Sequence, residues 1–167
     1  MPITTTYSHN LSDPTIAGAA AAISGALADE TRLRGMSDAD ASQPTVLGKW
    51  SRKEILGHLV DSAANNVQRF VRAQIPAHLT NGMLVTPGYE QDEWVRTAAY
   101  QSRTWEEIIE LWIALNRHVV HIIENFDLAS ANVSTVIGDG QPKPIEHVIV
   151  DYAGHLIHHH RQILGQL

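Results

Sequence analysis

The sequence predicts an all-α fold, a four-helix bundle with a long crossover connection, as one domain over residues 1–167. Three observations carry this expectation. Three stretches place apolar residues at alternating spacings of three and four, the signature of a helix with one buried face, and an alanine-rich stretch before them adds a fourth helix. Two of these stretches open on a capping box, Ser51/Glu54 and Thr104/Glu107. The segments between them are punctuated by proline and glycine and hold no convincing sheet. Four amphipathic helices bury their stripes most readily against one another, and 167 residues suffice for one sizeable core but hardly for two.

The first helix is expected to start at Asp13–Pro14, an N-cap followed by proline at the first helical position. It runs through an alanine-rich stretch to about Arg34, with Gly35 as its stop. Residues 36–49 read as loop. In the second helix Trp50 and Ile55 sit where a hydrophobic staple packs. Its stripe is Leu56, Val60, Ala63, Val67 and Phe70, ending near Gln74 before Pro76. Residues 75–103 form the long crossover, with a short helix near Gln91–Tyr100; a connection of this length is often functional. The third helix carries a heptad-like seam of Ile108, Trp112, Leu115, Val119, Ile122 and Phe126. Residues 127–144 form another connection, with an extended piece at Val133–Ile137. The fourth helix spans about Ile145 to Leu164, with a stripe of Ile145, Val148/Ile149, Tyr152, Leu156, His159 and Ile163.

Composition narrows the function. The net charge of -6, from 18 acidic and 12 basic residues without a basic run, speaks against nucleic acid or an anionic membrane surface as partner. The absence of cysteine removes disulfides, thiolate metal sites and a cysteine nucleophile. No basic stretch followed by an apolar run opens the chain, and no apolar run reaches the roughly 18 residues of a membrane span. A cytoplasmic location is expected. A homodimer is the base-rate expectation for oligomeric state.

Of the ten histidines, five crowd into the last helix. His155 and His159 stand four apart, so a helix stacks their rings on one face. His159 falls inside the apolar stripe and His155 at its edge. Two stacked imidazoles repel when protonated, and a buried one needs a partner. One divalent cation answers both needs, since neutral imidazole ligates zinc, nickel or copper; a hydrogen bond inside the core is the plainer alternative. The run HLIHH lacks the glutamate of HExxH, so the corresponding protease mechanism has no base. His58, on the second helix, lies opposite that helix's apolar stripe and shares its face with Ser62, Asn65 and Arg69. Spacing alone reads this face as solvated surface, with the wall of a polar cleft as the alternative. His9, His78, His118, His121, His147, His158 and His160 read as surface.

The segments GKWSRKEILGHLVDSAANNVQRFVRAQ, YEQDEWV and DYAGHLIHHHRQIL, in this order, resemble the DinB-like superfamily and its YfiT-type metal-dependent hydrolases. The resemblance implies a four-helix bundle with a metal site at one end. It implies His58, His155 and His159 as the ligands of one divalent ion, zinc or nickel. It also implies a small-molecule substrate and, by its thiol-dependent transferases and isomerases, a low-molecular-weight thiol as cosubstrate. Tyr89, Glu90, Gln91, Asp92 and Trp94 match the family segment near the pocket, or else cap the end of the bundle. Asn65, Asn66 and Arg69 either bind a substrate carboxylate or hold the long connection.

Three neutral histidines leave coordination positions open, as in catalytic rather than structural zinc sites. Such an ion activates a bound water or thiol at neutral pH. Glu90 and Asp92 are the candidate proton acceptors. The expected function is a metal-dependent hydrolase or thiol S-transferase, with a non-catalytic metal-binding or stress-related protein as the alternative.

Overall fold

The computed structural model of the chain describes residues 7–44, 46 and 48–166. Four helices form the bundle: α1 (Ile16–Ala28), α4 (Arg52–Arg72), α6 (Trp105–Glu124) and α7 (Ile145–Ile163). Shorter helices lie between them: α2 (Glu30–Arg34), α3 (Asp38–Ala41) and α5 (Gln91–Ala98). In the bundle, α1 packs on α6 and α7, and α4 packs on the same two helices. Hence α1 and α4 face each other across one diagonal and α6 and α7 across the other. The chain crosses a diagonal twice, on entering α4 and on entering α7.

The first helix departs from expectation at both ends. Its N-cap is Thr15, whose hydroxyl accepts from the Gly18 amide at 3.0 Å, rather than Asp13. It breaks at Asp29 into α1 and α2, and Gly35 closes α2. Residues 36–49 are not wholly loop, because Ser37 caps the one-turn helix α3; four residues are too few to show a period. The capping boxes of α4 and α6 are both formed.

Two connections meet in a sheet that hydrophobic alternation gave no reason to expect. Strand β1 (Met83–Thr86) pairs parallel with β2 (Ser134–Ile137), and β2 pairs antiparallel with β3 (Lys143–Pro144). Strands of four and two residues lie at or below the shortest length at which period two is legible. Only β2 coincides with an expected extended segment. The sheet fastens the α4–α6 crossover to the α6–α7 connection, and the Gly138 amide extends the pairing to the Thr86 carbonyl at 2.9 Å.

The core is continuous through all four bundle helices. Trp112 is fully buried at its centre, and Phe70 meets Tyr152 edge-on at 5.9 Å. The buried face of α6 is rotated from the expected seam: Trp105, Ile109, Asn116 and Ile123 are buried, whereas Leu115 and Ile122 sit at its edge. Asn116 is satisfied in the core, accepting from the Tyr152 hydroxyl at 2.5 Å and donating to the Trp112 carbonyl at 2.9 Å. In α4 every residue from Ile55 to Ala63 is buried. This helix is covered by α6 and α7 and also by α5, β1 and the turn at Tyr100–Ser102. Among the described residues, no helix is long and apolar enough to cross a membrane.

Candidate metal centre

The capping box starts α4 firmly: Glu54 accepts from the Ser51 amide at 2.8 Å and the Ser51 hydroxyl from the Glu54 amide at 3.2 Å. Two turns later this register carries His58 inward. Its side chain is fully buried, with Trp50 lying against its ring at 5.1 Å. The exposed reading from helical spacing is therefore corrected. A single-stripe argument fails on a helix that is covered nearly all round.

His155 and His159 present half-buried rings one turn apart on α7. The ring centres of His58, His155 and His159 lie 4.6–5.2 Å apart. Their ligand nitrogens fall within 4.8 Å of one another, and the Nε2 atoms of His58 and His155 approach to 3.0 Å. Two imidazole nitrogens at that separation can share one ion at ordinary metal–nitrogen lengths of about 2.0–2.1 Å. Gln162 Oε1 lies 2.8 Å from His159 Nδ1. Accepting a proton there fixes the tautomer that leaves Nε2 free to ligate, the usual office of a residue behind a metal-bound histidine.

Electrostatics agrees with the donor set. Burial, then the neighbouring His159, pushes His58 down to about 3. Burial and the other rings hold His155 well below the usual imidazole range, and burial lowers His159. All three are neutral at pH 7, the ligating form. The sign of the resulting pH dependence is fixed. Unfolded imidazoles take up protons near 6.5 while the folded ones resist, so below that pH the unfolded state binds more protons and stability declines as the pH is lowered. Metal-free protein is expected to show a lower urea midpoint at about pH 5.5 than at about pH 7.5; equal midpoints would contradict neutral burial of the triad.

A cavity of about 680 Å³ opens beside these rings, with His155 in its wall. Asn66, Arg69, Tyr89 and Gln91 line it, together with Tyr7, Ser62, Thr135, Asp139, Lys143, His147, Asp151 and Tyr152. Asn65, Glu90, Asp92 and Trp94 lie outside this lining. Asn65 donates to the Asp61 carbonyl at 2.9 Å. Glu90 and Asp92 are exposed at the start of α5. Trp94 is 43% exposed and packs on the Tyr89 ring at 4.9 Å.

With the bundle and the three-histidine cluster in place, comparison with known proteins gives a consistent result. The sequence profile of the DinB superfamily matches residues 29–163. The chain belongs to the DinB superfamily. A solved structure similar to it is YfiT from Bacillus subtilis, described as a probable metal-dependent hydrolase with an unusual four-helix bundle topology. The TM-score is 0.76 at 16% identity, over 99% of this chain and 90% of that one. No curated protein matches the sequence.

This DinB-superfamily chain carries polar groups at the cavity that sequence reading missed. His147, Asp151, His155 and His159 stand four apart in succession, a polar row along one face of α7. That regular spacing was the available signal. Asp151 accepts from the Tyr7 amide at 2.5 Å, and His147 Nε2 is buried without a hydrogen-bond partner. His147 and His158 are half-buried rather than surface residues. His160 is buried and stacks flat on Trp112 at 5.9 Å. It continues the core stripe of α7 after Leu156, the place expected for His159.

On α4, Asp61 follows His58 by one turn. Its Oδ1 accepts from the Tyr100 hydroxyl at 2.6 Å, and its Oδ2 is buried without a partner. Burial raises its carboxyl above the usual range, against the opposing effect of Tyr100. Gly57 makes this contact possible, because a Cβ there would overlap the Tyr100 ring. Gly57→Ala is expected to destabilise the protein by about 1–3 kcal/mol through overpacking. Urea denaturation checks this, and an unchanged midpoint would show that Tyr100 can move aside without cost.

Proposed function

We propose that this chain is a metal-dependent enzyme that hydrolyses a small molecule held in the cavity beside His58, His155 and His159. One observation carries the reading: three neutral imidazoles from two helices converge, and His155 belongs to both the cluster and the cavity wall. The description of YfiT as a probable metal-dependent hydrolase supports it. The donor set suits zinc or nickel. When bound, the ion supplies Lewis acidity that activates a water or a thiol at neutral pH.

The protein's own residues supply the rest. Gln162 holds His159 in its ligating tautomer. Asp151, one turn before His155 and in the cavity wall, is the proton acceptor in this reading. Its position supports that role better than the exposed Glu90 and Asp92. The second reading is S-transfer from a low-molecular-weight thiol. It is favoured by a cavity of about 680 Å³, roomy enough for two small reactants, in a chain that has no cysteine of its own.

The test is metal analysis of purified protein, followed by assay of stripped and reloaded samples. One arm offers esters and amides, and the other an electrophilic dye with and without small thiols. Turnover without thiol and only after metal loading supports hydrolysis. Turnover that requires both metal and thiol supports transfer. Protein that takes up no stoichiometric ion sinks both readings.

A further inference from the structure

We propose that Arg69, in the wall of the cavity, is the binding site for a substrate carboxylate, so that the small molecule bound here is a monoanionic carboxylic acid. The inference rests on reading this cavity as the substrate site, but not on the metal.

Arg69 is 7% exposed. Its guanidinium stays charged and offers five N–H donors in a planar fork. Among the described residues it forms no ion pair with a carboxylate. It donates to Asn66 Oδ1 at 3.2 Å and to the Pro87 carbonyl at 3.5 Å, the latter at the limit of a hydrogen bond. Its remaining donors open on the cavity instead of being sealed in the core, and a largely desolvated cation without a counter-charge carries a cost that a matching anion would relieve. A purely structural tie to the crossover would be served by a neutral side chain at lower cost. The free donors have one evident use, because the residue faces a cavity deep enough to admit a ligand.

The surroundings select the anion. Tyr89, beside Arg69, stays a protonated phenol at neutral pH because burial pushes it up to about 12, so it can donate to an anion as well. The cavity sets Arg69 and Lys143 against Asp139 and Asp151. That balance leaves no surplus of positive charge for a dianion, whereas one carboxylate matches the guanidinium fork in shape and charge. Arg69 lies three turns beyond His58 on α4. Its side chain leans back toward the N-terminal end of that helix, toward the histidines. The carboxylate would thus be anchored at a distance from the centre, leaving the other end of the ligand to meet it.

The test uses full-length metal-free protein, in which a carboxylate has no ion to bind. Hexanoate, neutral hexanamide and inorganic phosphate are titrated separately while the Arg69 Nε–H resonance is followed by NMR. A saturable shift with hexanoate and none with hexanamide is expected. Arg69→Gln should weaken hexanoate binding at least tenfold, with Arg69→Lys retaining part of it. An Arg69 resonance unmoved by hexanoate, equal binding by folded Arg69→Gln, or preference for phosphate would overturn the proposal. The wild-type resonance decides even if Arg69→Gln does not fold. Metal content, measured separately, reports on the three-histidine reading, so either can fail alone.

Discussion

His159→Ala is expected to strip the protein of its metal while leaving the bundle folded. His159 is half-buried, so truncation opens little of the core, and its neighbours in the core stripe, Leu156 and His160, remain. The change removes one of three donors and the one whose tautomer Gln162 fixes. Losing a residue that merely supports a ligand costs about 10–100-fold in metal affinity, so losing the ligand should cost at least about 100-fold. The linked effect on stability is as informative. An ion at about 1,000 times its dissociation constant stabilises the folded state by about 4 kcal/mol. Wild-type protein should therefore melt well above its chelated form, and His159→Ala should melt at one temperature with or without metal. His158→Ala is the control, because His158 neighbours the cluster without belonging to it. Metal content after dialysis and paired thermal melts read the outcome. Full metal retention by His159→Ala would remove His159 from the site.

How much of this could be read from the sequence varied with the physics of each element. The three longer bundle helices were legible because each carries a periodic apolar stripe over several turns and two open on complete capping boxes, whereas the first was legible by its alanine-rich composition and its cap was misplaced. The His155/His159 pair was legible because its spacing depends only on its own helix. His58 was not legible in that way. Its burial is set by the helices, turn and strand that cover the far side of α4, which lie distant in sequence, and only the family resemblance placed it with the pair. The sheet was missed for the same kind of reason: β1 and β2 are short, and their pairing joins two connections about fifty residues apart. His160 was misread because three successive histidines occupy three directions on a helix, and a small error in phase exchanges the residue in the core with the one facing the site. The row His147, Asp151, His155, His159 was open to inspection. His147 reads as surface from its place near the helix start, and Asp151 carries no metal-ligand spacing of its own, yet the same face followed back one and two turns from His155 contains both.

That row leads to the second large effect. Asp151→Asn is expected to lower turnover by about 10²–10⁴-fold while metal content and fold are kept, the range for removing a general base. The substitution is isosteric, and the amide oxygen can still accept from the Tyr7 amide as Oδ1 does. What disappears is the negative charge and the capacity to take a proton. Tyr7 packs edge-on against the His155 ring at 5.0 Å, and its backbone crosses Gly154 so closely that a Cβ there would overlap the Tyr7 carbonyl. Losing the Tyr7 contact would therefore disturb the site for structural reasons. Asp151→Ala removes both the acceptor and the base, and the contrast between the two variants separates these roles. If Asp151 acts as base, both variants lose turnover alike and Asp151→Asn retains the wild-type melting temperature. If Asp151 only holds Tyr7 in place, Asp151→Asn stays near wild-type activity and only Asp151→Ala declines, together with its stability. Glu90→Gln and Asp92→Asn complete the comparison. Both side chains are exposed and outside the cavity lining, so both variants should retain turnover within about twofold, well short of the loss expected for a true base. A large loss in either would move the proton acceptor from α7 to the start of α5 and require that segment to fold inward over the cavity during the reaction.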